Sequence, residues 1–160
     1  MDEDHGAPGS LPGVYILVLR LHGFFRGTVG RLGLAEFEPG FYIYVGSALG
    51  PGGLAARVSR HLRRGKRLRW HIDYLTSDPR VSVEAVVYAY TGRRLESTLS
   101  SGLAAVLEPA LEGFGSSDTG DSTHLFRCHS LAACVEAALS AMRGAGLEPR
   151  VWLPGGRVMA

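Results

Sequence analysis

Apolar residues recur along the chain in two patterns, and each pattern predicts one kind of element. Residues 14–21 are apolar except for Arg20, and a short run of this kind predicts a buried strand. Residues 41–46 place Tyr42 and Tyr44 on one face of a strand and aliphatic or aromatic residues on the other. The segments that we predict as strands are residues 14–21, 25–34, 41–46, 81–90 and 125–128, with a final strand or hairpin over 151–158.

Other segments have the spacing of a helix. Leu54, Val58 and Leu62 fall on one stripe at about 100° per residue. Together the strands and helices predict one α+β domain over residues 12–160, with a C-terminal helix and strand as an extension. Residues 1–11 are predicted to be a flexible tail. The predicted helices cover residues 54–64, 93–107 and 131–142, with a short helical turn over 71–75.

Length and composition restrict the class of protein. A chain of 160 residues with 46% hydrophobic residues is long and apolar enough to fold as one domain. No apolar run reaches the roughly 18 residues of a membrane span. Residues 1–10 lack the basic flank and apolar segment of a signal peptide, so we expect a cytoplasmic protein. The chain has neither Asn nor Gln, a trait of thermophile proteins.

The net charge of +2 hides one strongly basic segment. Between Arg57 and Arg69 every charged side chain is basic. We predict that these side chains belong to a basic helix over residues 54–69. Such a segment is either a solvated face or a surface that attracts the backbone of a nucleic acid. In the second interpretation the side chains that contact nucleic acid are Arg60, Arg63, Arg64, Lys66, Arg67 and Arg69.

Four residue types near this segment suit phosphodiester cleavage. A phenol such as Tyr15 can handle a proton, and a guanidinium such as Arg57 can hold a phosphate. His61 shares a helical ridge with Arg57, although without the surrounding motifs a half-buried, hydrogen-bonded core histidine is the favoured interpretation. Glu96 can hold a metal ion, or it can complement the dipole of the helix that it begins.

These residues occur in an order that resembles a known family. Gly13-Val14-Tyr15, Tyr44-Val45-Gly46, Arg57, His61 and Glu96 resemble the motif set of the GIY-YIG endonuclease superfamily. The similarity covers roughly residues 12–128 and is closest to a small archaeal branch of stand-alone domains, the Uri-type endonucleases and domains of unknown function. The resemblance implies a small antiparallel sheet flanked by helices, with Gly13 and Gly46 as motif glycines.

The resemblance also implies a role for each site residue. Tyr15 would be the general base or would position water, and Tyr44 would be its partner beside the scissile phosphate. Arg57 would stabilise the pentavalent phosphate, and His61 would assist proton transfer or orient Tyr15. Glu96 would bind one Mg²⁺ or Mn²⁺ ion. The implied function is a metal-dependent endonuclease acting on DNA, with structured or damaged DNA in repair as a substrate class.

Two other classes of function stay open. A nucleic-acid-binding module could keep the fold and the basic helix over residues 54–69 without catalysis, and metal binding at Glu96 would separate it from the nuclease. A protein-interaction domain could use the same basic helix to meet an acidic partner. Salt-dependent affinity for DNA would separate that class from the first two.

The chain also departs from the family pattern. These nucleases often carry an Asn near the site, and here Asp118 or His124 are the candidate substitutes. Cys128 and Cys134 are expected to be buried free thiols, with a disulfide or a zinc site as the alternatives. The glycine-rich loop over residues 50–53 is expected to give the following helix a tight entry, with free amides near a phosphate.

Overall fold

The structure is a computed structural model that describes residues 6–117 and 119–156. It confirms the predicted α+β class: four helices flank a six-stranded antiparallel sheet, and two further strands form a separate hairpin. The strands are β1 (Gly13–Leu21), β2 (Phe25–Thr28), β3 (Leu34–Phe37), β4 (Gly40–Ala48), β5 (Val81–Tyr90), β6 (Glu108–Pro109), β7 (Leu125–Cys128) and β8 (Arg150–Trp152), and the helices are α1 (Gly53–Leu62), α2 (His71–Thr76), α3 (Glu96–Ala104) and α4 (Leu131–Gly144).

Strand β1 lies near the centre of the large sheet, whose order is β6-β7-β4-β1-β5-β8. Its residues from Gly13 to Leu19 are all buried, because each face of the sheet is covered. Tyr15 and Leu17 pack in one apolar cluster with α1 and α2, whereas Val14 and Ile16 pack in a second with α3 and α4. A strand buried on both faces has a continuous apolar sequence, which explains the pattern in residues 14–21.

The predicted strand over residues 25–34 is wrong in its extent. The chain forms β2, makes a single 3₁₀ turn over Gly30–Leu32, and returns as β3, which the sequence prediction missed. Gly30 and Gly33 have φ values of +48° and +81°, which only glycine adopts readily, and they break the strand here. The hairpin is closed by a contact between the rings of Phe25 and Phe37, with centroids 5.7 Å apart.

The sequence predicted a basic helix over residues 54–69, but only the first part of this segment is helical. Helix α1 ends at Leu62, and Arg63 has extended backbone angles. Lys66 helps to end the helix, because its Nζ donates to the carbonyl oxygens of Arg60 and His61 at 3.0 and 2.9 Å. Residues 63–70 therefore form a loop that leads from α1 to α2. We call these residues the basic loop.

Residues 6–11, part of the predicted tail, lie against α1 and β5. The amide of Leu54 donates to the carbonyl of Leu11 at 3.0 Å, and the amide of Ala55 donates to the carbonyl of Gly9 at 2.8 Å. These two amides of the α1 N-terminus are thus already satisfied, and the Gly53 amide donates to the Gly50 carbonyl at 3.1 Å, so at Gly53 the expectation of a free loop amide is wrong. Gly53 is required here because an added Cβ would lie 2.2 Å from the Ser10 carbonyl oxygen.

Cys128 and Cys134 form a disulfide, so the expectation of free thiols is wrong. Strand β7 ends at Cys128 and α4 begins at Leu131, so the first turn of the helix returns over the strand, with a Cα–Cα distance of 5.6 Å between the two cysteines. Because both sulfur atoms are in the disulfide, neither cysteine is available as a thiolate ligand, which removes the zinc alternative.

The remaining differences are at element ends. Helix α3 is shorter than the predicted helix over residues 93–107, and the final strand covers only Arg150–Trp152, which pairs with β5. The rest of the predicted strand over 151–158 includes residues 157 and 158, which lie outside the described residues. In the part of the chain that the structure describes, no helix has both the length and the apolar character to cross a membrane.

Candidate active site

A pocket of about 530 Å³ opens beside the paired strands β1 and β4. Tyr15, Tyr44, Arg57 and Glu96, four of the five predicted catalytic and metal-binding residues, line it together. They come from β1, β4, α1 and α3, so the fold brings residues 81 positions apart in sequence to one place. His61 does not line the pocket and lies behind Tyr15.

The two motif glycines make room for this arrangement. The register of β1 and β4 places Tyr15 opposite Gly46, and an added Cβ on Gly46 would lie 2.3 Å from the Tyr15 hydroxyl oxygen. At Gly13 an added Cβ would lie 2.3 Å from the Ala89 carbonyl oxygen and 2.5 Å from Leu54 Cδ1. Gly46 therefore lets the phenol lie flat across β4, and Gly13 lets α1 approach the sheet.

Replacing Gly46 by alanine should lower the free energy of unfolding by about 1–3 kcal/mol, because the new methyl overpacks the Tyr15 ring. Gly50→Ala is the matched control, since an added Cβ at Gly50 meets nothing within 4 Å. That control should change the stability by less than about 0.5 kcal/mol. Urea denaturation of both variants measures the difference. Equal stability of Gly46→Ala and wild type would show that Tyr15 does not lie over Gly46.

Tyr15 and His61 form a buried hydrogen-bonded pair, with 2.7 Å between the hydroxyl oxygen and Nε2. Burial raises the pKa of Tyr15 to about 12, against the lowering effect of the Arg57 guanidinium. Burial also lowers the pKa of His61 to about 3, and the nearby Lys66 ammonium adds to this. Both groups are therefore uncharged near neutral pH. His61, 1% exposed, is placed to orient Tyr15 rather than to touch a substrate.

Arg57 and Glu96 are held by the same residue, Ser47. The Arg57 Nη1 donates to the Ser47 carbonyl oxygen at 2.8 Å, and the Ser47 hydroxyl donates to Glu96 Oε1 at 2.7 Å. The Arg57 guanidinium also lies 4.6 Å from the centre of the Trp70 ring. Sequence reasoning missed Ser47 as a site residue, although it directly follows the motif glycine Gly46.

A buried ion pair supports the wall of the pocket behind Arg57. The two terminal guanidinium nitrogens of Arg60, Nη1 and Nη2, donate to the Asp73 carboxylate at 2.7 and 2.9 Å. The same carboxylate accepts the backbone amides of Arg69 and Trp70 at 2.8 Å each. Arg60 lies 4.2 Å from the centre of the Trp70 ring, so the ring is in contact with Arg57 and Arg60. Asp73 thus fixes the end of the basic loop and, through Trp70, the surroundings of Arg57.

The six cations that the sequence assigned to nucleic-acid binding fall into two groups. Arg60 is bound to Asp73, Arg64 donates to the carbonyl oxygens of Asp78 and Val81, and Lys66 ends helix α1. Each of these three has an internal partner. The second group has exposed side chains that make no hydrogen bond or ion pair with other residues in the described ranges, and its members are Arg63, Arg67 and Arg69.

A second polar cluster lies on the same pocket. His124 Nε2 and Asp121 Oδ2 are 2.8 Å apart, and the Ser97 hydroxyl donates to the same Asp121 oxygen at 2.7 Å. Burial acts to raise the pKa of Asp121, but the hydrogen bonds from His124, Ser97 and Thr119 lower it overall. His124, Ser97 and Thr119 line the pocket. Asp118, the other residue considered in place of the family Asn, lies outside the described residues.

The fold and the pocket define a small α+β domain with tyrosine, arginine and carboxylate side chains converging on one polar site. A family model described as a domain of unknown function, DUF123, matches residues 14–147, and the chain belongs to this family. No curated protein and no solved structure matches the chain.

Proposed function

We propose that this protein is a metal-dependent endonuclease that hydrolyses phosphodiester bonds in DNA. The observation that carries the proposal is the convergence of Tyr15, Tyr44, Arg57 and Glu96 on one pocket from four separate elements. The fold alone would not require a proton-handling group, a phosphate-binding group and a carboxylate at the same place. The ordered resemblance of these residues to the GIY-YIG endonuclease motifs supports the same function.

Glu96 is the residue that would hold a Mg²⁺ or Mn²⁺ ion. Its carboxylate is half-buried on the pocket wall, and within the described residues Oε1 accepts a hydrogen bond from the Ser47 hydroxyl alone, which leaves lone pairs for a cation. Mg²⁺ keeps several waters and is often bound by one or two carboxylates together with substrate phosphate, so one carboxylate fits this ion better than a closed protein cage would. A bound ion would stabilise negative charge on the phosphate and the leaving oxygen.

The chain's own residues supply binding and orientation. Arg57, held by the Ser47 carbonyl and the Trp70 ring, would donate to the phosphate oxygens and stabilise the charge that develops on them. Tyr15, held by His61, would orient the attacking water through its hydroxyl. Its pKa of about 12 means that it is protonated at neutral pH, so removal of its proton requires a cation such as Arg57 or a metal ion close by.

The basic loop adjoins this pocket and suits the backbone of DNA. Trp70 at the end of the loop lines the pocket, and Arg69 lies 5.2 Å from the centre of its ring. Arg63, Arg67 and Arg69 have no internal ion pair among the described residues, so their charges are available to phosphates. The same three side chains favour the alternative function, a nucleic-acid-binding module without catalysis.

In this proposal the protein acts in the cytoplasm, where its DNA substrate lies. The Cys128–Cys134 disulfide is compatible with this location, because intracellular proteins of thermophiles contain disulfides. The absence of Asn and Gln agrees with a thermophilic origin.

Cleavage of a panel of labelled nucleic acids tests the proposal. The panel contains duplex, single-stranded, branched and damaged DNA together with RNA, incubated with Mg²⁺ or Mn²⁺ and, as a control, with a chelator. We expect metal-dependent cuts in at least one DNA substrate, and the preferred one would name the substrate class. Binding of DNA without any cleavage in any metal would favour the binding module. Absence of both binding and cleavage would remove nucleic acid as the partner.

A further inference from the structure

His124, Asp121 and Ser97 form a hydrogen-bonded cluster at the pocket. His124 is 3% exposed, yet its side chain lines the pocket that holds Tyr44 and Glu96. The cluster is assembled from two distant parts of the chain, since Ser97 belongs to α3 and the other two residues precede β7. Apart from His124 as a candidate substitute for the family Asn, none of its residues has a role in the proposed function so far.

The backbone of His124 is held by hydrogen bonds through both its amide and its carbonyl. Its backbone amide donates to the Phe114 carbonyl at 2.8 Å, and its carbonyl accepts the Val45 amide at 3.0 Å, one residue after Tyr44. Gly115 has a φ of +70°, and an added Cβ there would lie 2.9 Å from the Tyr44 ring and 3.5 Å from His124 Cβ. His124 and Tyr44 are therefore close neighbours on either side of Gly115.

Asp121 orients the imidazole and leaves one of its nitrogens for the pocket. Nε2 of His124 is engaged by Asp121, whereas Nδ1 has no hydrogen bond within the described residues. This imidazole belongs to a side chain that lines the pocket. An imidazole that a carboxylate holds at one nitrogen and that presents the other to a reaction site is the usual arrangement of a general acid or base.

Hydrolysis of a phosphodiester needs such a group. The bond from phosphorus to the attacking water forms while the bond from phosphorus to the 3′-oxygen breaks, and that oxygen must gain a proton. Tyr15 is a poor donor because burial raises its pKa to about 12, and burial raises the pKa of Tyr44 as well. Arg57 does not release a proton in proteins. Histidine is the residue type that gives and regains a proton near neutral pH.

We infer that His124, oriented by Asp121, is the general acid that donates a proton from Nδ1 to the leaving 3′-oxygen. The attacking water releases one proton to solvent, and His124 supplies one to the sugar oxygen and regains it from solvent, so the protons balance over a turnover. This inference rests on the proposed nuclease function and adds to it. The titratable and charged side chains around His124 in the pocket are Tyr15, Tyr44, Arg57, Arg94, Glu96 and Asp121.

The test compares two substrates in single-turnover cleavage by the full chain. One is the best DNA of the panel, and the other has sulfur in place of the bridging 3′-oxygen, a leaving group that needs no proton. His124→Gln should slow cleavage of the oxygen substrate by about 10²-fold or more and leave cleavage of the sulfur substrate within about threefold of wild type. His129→Gln is the matched control, because His129 is exposed and does not line this pocket.

A second variant tests the positioning role of Asp121. Asp121→Asn should slow cleavage of the oxygen substrate and leave cleavage of the sulfur substrate close to the wild-type rate, because the carboxylate that holds His124 Nε2 at 2.8 Å is lost.

Each outcome of this test decides the inference. Equal loss on both substrates, or no loss on either, would overturn the role of His124 while the nuclease function stands. If the wild type cut neither substrate, the nuclease function itself would fall, and the acid role with it. A variant that cuts the sulfur substrate at the wild-type rate is folded, so loss of structure cannot imitate the expected result.

Discussion

Replacing Asp73 by alanine is expected to lower the free energy of unfolding by about 3–5 kcal/mol. The Asp73 carboxylate is fully buried. It accepts hydrogen bonds from the two terminal guanidinium nitrogens of Arg60 and from the backbone amides of Arg69 and Trp70. Its removal leaves a largely buried guanidinium without its counter-charge and two backbone amides without their acceptor. Urea denaturation followed by circular dichroism measures the loss.

Glu36→Ala is the matched control for Asp73→Ala. Glu36 is paired with Arg26 at 2.9 Å, but both side chains are more than half exposed. Removal of such a surface pair should cost about 0–1 kcal/mol. If Asp73→Ala were no less stable than Glu36→Ala, the buried network around Trp70 would not have the role that we assign to it.

The same carboxylate makes the stability depend on pH in a defined direction. Burial acts to raise the pKa of Asp73, but the hydrogen bonds from Arg60 and from the amides of Trp70 and Arg69 lower it overall, below the unfolded value of 3.8. A lowered pKa in the folded state means that the contribution is present above the unfolded pKa and is lost as the pH falls through the folded one. Acid should therefore narrow the difference in stability between wild type and Asp73→Ala.

Replacing Arg57 by alanine is expected to lower single-turnover cleavage of the preferred DNA by about 10²–10³-fold. Arg57 lines the pocket, bonds Ser47 and contacts Trp70, so its charge is held where a phosphate would bind. Arg57→Lys should recover little of the rate, because an ammonium cannot form the planar, two-pronged contact of a guanidinium with a phosphate. Single-turnover kinetics at saturating protein measures the rate.

Arg63→Ala is the control for the loss of positive charge. Arg63 is exposed and has no internal ion pair among the described residues, so its removal should weaken DNA binding and reduce its salt dependence without changing the rate at saturation. If Arg57→Ala and Arg63→Ala had the same small effect on the saturated rate, Arg57 would be one of several phosphate contacts and not the group at the scissile bond.

The sequence was sufficient to predict features that depend on a local pattern of residue types. The apolar run in residues 14–21 predicted a buried strand, which β1 confirms. The helical ridge of Arg57 and His61 could be derived from their spacing of four residues. These are local properties, and they are encoded by neighbouring residues.

The sequence predictions were wrong where a contact with a residue distant in the sequence determines the structure. Arg60 reads as a surface cation in the sequence, but its partner Asp73 is 13 residues away. Nothing near Leu54 indicates that Leu11 occupies its amide, and nothing near Cys128 requires α4 to return Cys134 to it. The Ser47 contacts with Arg57 and Glu96 likewise depend on how α1 and α3 meet β4. Such contacts depend on the packing of separate elements.

The most direct test of the nuclease assignment compares wild type with Glu96→Ala on the preferred DNA, measuring binding and cleavage in the same samples across a Mg²⁺ titration. We predict that the two proteins bind DNA with similar affinity and unfold at similar urea concentrations, whereas only the wild type cuts, and only when metal is present. Cleavage by Glu96→Ala at the wild-type rate and the same Mg²⁺ dependence would contradict the account, because the metal would then act without the carboxylate to which we assign it.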